Sequence, residues 1–439
     1  MTYLEKLIAT YCPNGVPFKT LGELGTFYGG LSGKSKDDFT DGNAKFITYM
    51  NVFSNISLKV DVPEKVKIAP NERQNTIQYG DILFTGSSET PEECGMSSVL
   101  TTHTDEKLYL NSFCFGFRFF DSEIILPGFS KYLFRSEALR NQIKKTASGV
   151  TRFNVSKKKM ANVSIPVPPI EVQREIVRIL DNFTELTAEL TAELTARKQQ
   201  YEYYRNLLLT FDDSCSQSIN VERERERERE RRSEAVRWLA LGDVIYSLNT
   251  GLNPRQFFKL NTEDATNYYI TIREMKNGRI SPDRNTDRIN DAALILCNNR
   301  SNLEVGDVLF SGTGTIGETA VITELPTNWN IKEGVYAIKP NPNYILPKFL
   351  RYLLSADHIK KEYMKKAAGG TVKSVPMAEM KRLRIPVPTI EHQEYIITIL
   401  DKFNDVCTDI TSGLPAEIEA RQLQYEYYRD KLLTFMPAA

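Results

Sequence analysis

Ile165-Pro-Val-Pro-Pro-Ile-Glu-Val-Gln173 opens a stretch that continues through Ile179-Leu-Asp181 and Phe183 to Gln200-Tyr-Glu-Tyr-Tyr-Arg205, and closes on Leu209-Thr-Phe211. Half the chain later it returns. Ile385-Pro-Val-Pro-Thr-Ile-Glu-His-Gln393 leads through Ile399-Leu-Asp401 and Phe403 to Gln424-Tyr-Glu-Tyr-Tyr-Arg429 and Leu433-Thr-Phe435. A tandem repeat of this length implies two equivalent units in one polypeptide, and so a pseudo-two-fold molecule.

Each copy reads as a long helix. From Gln173, the positions Ile176, Leu180, Phe183, Thr187, Leu190, Leu194, Arg197, Tyr201, Tyr204, Leu208 and Phe211 alternate steps of three and four. That is an a/d seam, the pattern of a coiled coil. Pro166, Pro168 and Pro169 keep the entry extended and let the helix start just after them. The second copy repeats the seam at Ile396, Leu400, Phe403, Cys407, Ile410 and Leu414, then takes an extra step of four to Ile418 before Arg421, Tyr425 and Tyr428. Such a stutter unwinds a coiled coil locally, and Pro415 should kink or restart the helix there. The first copy instead runs Glu-Leu-Thr-Ala three times over Glu185–Ala196. Each unit of that repeat is worth about 6 Å of helix. Two-fold-related helices, each beginning at its own globule, are most simply antiparallel with the globules at opposite ends.

The repeat extends upstream. Gly80-Asp-Ile-Leu-Phe84 answers Gly306-Asp-Val-Leu-Phe310, Gly30-Leu31 answers Gly251-Leu252, Ile125-Leu-Pro127 answers Ile345-Leu-Pro347, and Gly149 with Thr151 answers Gly369 with Thr371. Between these marks the halves diverge. Ile47–Val52, Asp81–Thr85, Phe113–Phe119, Tyr268–Ile272, Val308–Ser311 and Val335–Ile338 have strand character, whereas Phe129–Lys145 and Lys348–Lys366 have helical apolar spacing after a Leu-Pro start. The expected fold is therefore α+β: a globule over 1–165, a helix over 166–212, a charged linker over 213–235, a second globule over 236–385 and a second helix over 386–439. The linker contains Glu222–Arg231, an alternation of Glu and Arg that reads as a solvated charged segment, or as the product of a slippage-prone coding tract.

Bulk properties exclude more than they assert. The 439 residues carry 56 basic and 56 acidic side chains, so no global basic field steers the chain to nucleic acid. The six cysteines form no CxxC pair and read as reduced thiols of a cytoplasmic protein. No signal peptide or membrane-spanning run is expected.

No catalytic or metal-ligating set emerges. Gly312-Thr-Gly-Thr-Ile-Gly317 fits GxGxxG, but the next residues, Glu318–Thr323, look like a strand rather than the helix a dinucleotide site needs, so a hairpin turn is expected. Asn341-Pro-Asn-Tyr344 resembles an amino-methyltransferase motif without its second proline, and reads as a turn. His103, His358 and His392 have no partners at metal or triad spacing. The positive signal is local and basic. Lys131, Arg135, Arg140, Lys144, Lys145, Arg152 and Lys157-Lys158-Lys159 surround the glycine turn at Gly149 and Thr151. Lys348, Arg351, Lys360, Lys361, Lys365, Lys366, Lys373, Lys381, Arg382 and Arg384 surround Gly369 and Thr371. Glycine turns allow close backbone approach, and flanking cations suit phosphates. Lys34 and Lys36 after Gly30, and Arg255 after Gly251, mark a second pair of candidate loops.

Together, the duplicated proline–glutamine–helix segment, the two Gly-Asp-(Ile/Val)-Leu-Phe strands and the Thr-Ala-Glu-Leu repeat resemble the specificity subunit of Type I restriction–modification enzymes, over essentially the whole chain. The resemblance implies that each globule is a target recognition domain reading one half of a bipartite site in double-stranded DNA. The helices would set the spacing and dock two modification subunits, which bind S-adenosylmethionine and methylate adenine. Restriction subunits would add ATP- and Mg-dependent translocation and cleavage, and this chain would carry no cofactor or catalysis of its own. The docking and coiled-coil set expected is Gln173, Ile176, Leu180, Phe183, Leu190, Leu194, Tyr201, Tyr204, Gln393, Ile396, Leu400, Phe403, Tyr425 and Tyr428. Two other classes are weighed beside it: a coiled-coil scaffold whose globules bind something other than DNA, and a degenerate S-adenosylmethionine-dependent methyltransferase.

Overall fold

The computed structural model describes residues 2–211, 236–408 and 413–438. The Glu-Arg stretch and the expected linker at 213–235 lie outside them. The chain divides into two compact units, Met1–Thr191 with Ile418–Ala439, and Ala192–Glu417. Each unit therefore combines one globule, the start of its own long helix and the end of the other copy's.

The two globules share a frame. In the first, an antiparallel sheet runs Gly25–Gly29, Cys114–Phe119, Ile82–Thr85, Ser97–Val99. In the second, the same order runs Ile245–Thr250, Val335–Pro340, Val308–Ser311, Thr319–Val321. The central strands Ile82–Thr85 and Val308–Ser311 are buried at every residue, which explains why they read as continuous apolar runs rather than alternating ones. Gly80 (φ +86°) and Gly306 (φ +92°) make the preceding turn possible. The aspartate after each glycine locks it: Gln78 N donates to Asp81 at 2.8 Å, and Glu304 N donates to Asp307 at 2.9 Å.

A two-stranded clasp closes each globule. Phe18–Thr20 pairs with Ser164–Pro166, and Arg237–Ala240 with Arg384–Val387. Proline lacks an N–H for the ladder, which suits it to the edge of so small a sheet. The chain then turns directly into the long helix Ile170–Leu209, or into Ile390–Thr408. The second copy restarts as Leu414–Leu432. Gly413 O accepts from Ala416 N and Glu417 N, and Pro415 stands in the first turn, where no donor is missed. Residues 409–412, where the stutter position Ile410 falls, lie outside the described residues.

Several elements differ from expectation. Phe129–Lys145 is two helices, Pro127–Leu133 and Glu137–Lys144, and Lys348–Lys366 is Pro347–Ser355 and Asp357–Met364. The break falls at Ser136 (ψ 152°) and Ala356 (ψ 139°), which are extended. Apolar periodicity continues through both breaks, so spacing alone cannot show them. Ile47–Val52 is not a strand. The strand ends at Ile47, and Thr48 caps a helix Tyr49–Ser54 by accepting from Asn51 N. Likewise Tyr268–Ile272 is a strand only to Ile270, before a 3-10 turn at Ile272–Glu274.

Nor is the seam a uniform coiled coil. Val172, Ile176 and Leu180 are buried in the first globule's core with Phe84, Phe117, Phe129 and Tyr132. Ile396 and Leu400 are buried in the second with Phe310, Phe349 and Tyr352. Helix stacks on helix farther along. Phe183 lies 5.3 Å from Tyr428 in the first unit, and Phe403 lies 5.3 Å from Tyr204 in the second. Each start meets the other helix's end, the pairing of an antiparallel arrangement. Leu190 and Leu194 are half-buried.

Candidate nucleic-acid interface

One edge of each globule gathers the loops that the sequence marks. In the first, Phe153–Val155 pairs on one side with Ala147–Ser148 and on the other with Ser87–Ser88, the segment just after the central strand. The tip of this ribbon is the turn 149–152. Gly149 has φ +145°, and a Cβ there would strike the Arg152 carbonyl. In the second globule Ala368 and Ser374 exchange backbone hydrogen bonds at 2.8 Å, and Gly369 (φ +121°) faces the Val372 carbonyl in the same way. The ribbon is again strapped to the turn after the central strand. Gly314 N donates to Lys373 O, Val375 N donates to Gly312 O, and the Thr313 and Ser374 hydroxyls lie 2.9 Å apart. Both tips are exposed, with Val150 at 92% and Val372 at 60%.

The second pair of candidate loops meets this edge through an intervening turn. Gly30 packs under the Asn111 carbonyl, Leu31 N donates to Leu110 O, and Gly86 N donates to Phe113 O. The Arg152 guanidinium lies over the exposed Phe113 ring, and its Nε donates to Ser87 Oγ at 3.1 Å. Lys157 Nζ lies 5.6 Å from the Phe115 ring. In the second globule Gly251 packs under the Ile331 carbonyl, Asn253 donates to Glu333 at 2.7 Å, and Gly312 N donates to Gly334 O. Four loops converge in each case.

The structure also sorts the cations. Lys36, Lys145, Arg152, Lys157, Arg255 and Lys373 are exposed, and so are Thr151 and Thr371. Lys144 is half-buried. Lys365 pairs with Glu362, and Lys366 lies at the 4.0 Å limit from Glu379. Four others are internal, which corrects the sequence reading. Lys34 is bound to Glu72 at 2.6 Å, and its hydrogen bond is the largest of the causes that bring that carboxyl down to about 2. Lys131 is bound to Asp181. Arg135 donates to Ser97 O and to the Val52 and Phe53 carbonyls near the end of Tyr49–Ser54, where a cation complements the helix dipole. Arg140 donates to the Glu92, Cys94 and Gly95 carbonyls. Burial lowers the pKa of both arginines, that of Arg135 to about 10. Among the second cluster, Lys348 is likewise held by Asp401.

A second correction concerns the docking set. Gln173 and Gln393 are fully buried. Gln173 Oε1 accepts from Leu126 N at 2.8 Å, while its Nε2 donates to Ile124 O and Pro168 O. Gln393 makes the same three bonds with Leu346 N, Tyr344 O and Pro388 O. They lock each helix start to its own globule, so neither they nor the equally buried Ile176, Leu180, Ile396 and Leu400 form a docking surface. Asp181 and Asp401 accept from Tyr132 and Tyr352. Tyr425 is buried and meets the Tyr132 ring edge-on, and Tyr201 packs against the second core. The sequence signal for these internal locks was identity between the two copies at polar positions.

The glycine-rich 312–317 segment joins two antiparallel strands, as a hairpin turn does, and Asn341–Tyr344 is a turn closed by Tyr344 N on Asn341 O. Among the described residues, no group of histidine, cysteine and carboxylate side chains could hold a metal ion, and no helix is long and apolar enough to cross a membrane.

Comparison with known proteins gives a consistent result. Residues 13–197 and 237–420 each match the Type I restriction modification DNA specificity domain. The chain is 34% identical over 290 residues to the Type I restriction enzyme EcoR124I/EcoR124II specificity subunit of Escherichia coli, a match covering 64% of this chain and 64% of that relative. It is 32% identical over 296 residues to a putative type I restriction enzyme specificity subunit of Haemophilus influenzae, covering 66% and 68%. Among solved structures, one concerned with complex assembly and conformational transition of the type I R-M system superposes with a TM-score of 0.62 at 19% identity, over 96% of this chain and 98% of that one.

Proposed function

This chain belongs to the Type I restriction modification DNA specificity family, and from that premise we propose that it reads a bipartite site in double-stranded DNA, one half with each globule. The observation that supports this most is the duplicated edge. Two divergent globules each present a glycine-tipped ribbon with exposed Arg152 or Lys373, backed by a second loop carrying Lys36 or Arg255. Exposed cations position a protein on phosphates, whereas base reading must differ between globules if the half-sites differ. The constant frame and variable edge have that division.

In this reading the chain performs no catalysis. It docks two methyltransferase subunits, which carry S-adenosylmethionine, and restriction subunits, which carry ATP and Mg. The surfaces left for docking are the outward faces of the long helices, because their inner residues pack on the globules.

The test is selection from a random duplex library by the full chain co-expressed with its methyltransferase partners. Recovery of two short motifs at fixed spacing supports the reading. No enrichment from the library overturns it.

A further inference from the structure

The two breaks in the globules' helices lead to the ends of the long helices. In the second unit the short helix Asp357–Met364 begins at Ala356, which offers no side-chain cap. The cap comes from the first long helix. Asp357 N donates to Asn206 Oδ1 at 2.9 Å, Asn206 Nδ2 donates to Asp357 Oδ2 at 2.8 Å, and Arg205 reaches Asp357 Oδ1 at 3.2 Å. In the first unit the short helix Glu137–Lys144 begins at Ser136, whose hydroxyl is turned back to Leu133 O. Its cap comes from the second long helix: Glu137 N donates to Asp430 Oδ1 at 2.8 Å, and Arg429 holds Asp430 at 2.7 Å. The residues after Gln-Tyr-Glu-Tyr-Tyr-Arg thus do the same task twice, each time for the globule of the other repeat.

Those short helices lead straight into the ribbons. After Glu137–Lys144 the chain enters the strand Ala147–Ser148, and Arg140 and Ile143 hold the 92–95 loop against Val155. After Asp357–Met364 it enters the 368–374 ribbon. Tyr363 meets Phe310 of the central strand edge-on and fits beneath Gly317, in the turn strapped to that ribbon. A contiguous packed path therefore runs from each long-helix end to the ribbon of the opposite repeat. Such a path is a warrant for coupling that a direct measurement must complete.

We propose that Asn206 and Asp430 are positioning residues for recognition: Asn206, on the first repeat's helix, sets the ribbon of the second globule, and Asp430, on the second repeat's helix, sets that of the first. This rests on the DNA-reading role proposed above. Loss of a helix cap weakens the capped helix to a degree that would lower preference for the matching half-site about five- to tenfold.

The experiment is the same library selection, run on full-chain complexes. Val372→Asp and Val150→Asp, at the exposed ribbon tips, first mark which half-site belongs to which globule. Asn206→Ala should then degrade the half-site marked by Val372→Asp, and Asp430→Ala the one marked by Val150→Asp. Asp430→Asn keeps the acceptor for Glu137 N and should retain both halves. Equal loss of both halves, loss of the wrong half, or equal damage from Asp430→Asn and Asp430→Ala overturns the positioning role while leaving DNA reading intact. A wild-type complex that selects no sequence overturns DNA reading, and the positioning role with it.

Discussion

The inner regions of the two globules correspond, whereas their outer regions diverge. Inside, the correspondence is nearly atom for atom: the same sheet order, the same glutamine with three buried bonds, the same tyrosine on the same aspartate. Outside, the first globule carries a second four-stranded sheet, whereas the second carries a smaller three-stranded sheet, the helix Asp291–Ser301 and a separate hairpin at Met275–Lys276 and Arg279–Ile280. At Gln173 and Gln393, and at Asp181 and Asp401, identity between the copies therefore reports internal bonding, and these polar residues are locks.

The strongest way to break that comparison is to remove a lock. Gln173→Ala would leave Leu126 N, Ile124 O and Pro168 O without their buried partner, and should destabilise the first unit by about 3 kcal/mol or more. Gln393→Ala should cost the second unit the same. Hydrogen exchange at residues 124–126 and 344–346 reads each unit separately. Clearly unequal effects would show that the two frames are equivalent in shape but not in energy.

The Gly-Asp turns sharpen the comparison, because here the units do differ. Asp81 is held by Tyr28 at 2.7 Å and by both Nε and Nη2 of Arg118, at 2.8 and 2.6 Å. Asp307 has Lys339 at 3.2 Å, and that lysine also pairs with Glu304. Asp81→Asn should cost about 2 kcal/mol and Asp307→Asn close to nothing, measured by denaturant unfolding. Burial raises the Asp307 pKa despite Lys339. A carboxyl whose pKa is higher folded than unfolded binds its proton more tightly in the native state. Stability should therefore fall as pH rises from the ordinary aspartate range, about 3.9, through the raised value. Asp307→Asn should remove that slope.

A smaller effect separates two lysines that look alike in sequence. Lys34→Ala breaks the 2.6 Å pair with Glu72 and the bond to Lys67 O, and should loosen its loop, read as faster hydrogen exchange at residues 67–72. Lys36→Ala should leave stability unchanged. If Lys36 lies on phosphate, its loss lowers the salt slope of DNA binding by about one. A salt titration that changes with Lys34 and not with Lys36 would reverse the assignment.

Legibility in the sequence depends on range. The repeat, the central strands and the hairpin at 312–317 are written in contiguous residues. The pairing of Lys131 with Asp181 joins positions 50 apart, and no local pattern announces it. Arg135 and Arg140 likewise read as surface cations, because their partners are backbone carbonyls, which have no sequence signature. The helix breaks at Ser136 and Ala356 were hidden for the same reason: the side chains capping the second segments come from the other copy's long helix.

The smallest energetic effect is expected where the two long helices differ most. Glu185–Ala196 consists of three Glu-Leu-Thr-Ala units, and most of its side chains are exposed, Leu186 included at 40%. Removing one unit deletes few buried contacts, so unfolding should shift by less than about 1 kcal/mol. It also shortens the helix by about 6 Å, against roughly 3.4 Å per base pair of DNA. If the globules read two half-sites, the spacing between the selected motifs should change by about one or two base pairs while each motif stays the same. The second helix has its restart at Gly413–Pro415, where one turn is already re-formed from Gly413 O. Selected motifs at unchanged spacing would mean that the length of the first helix does not set the distance.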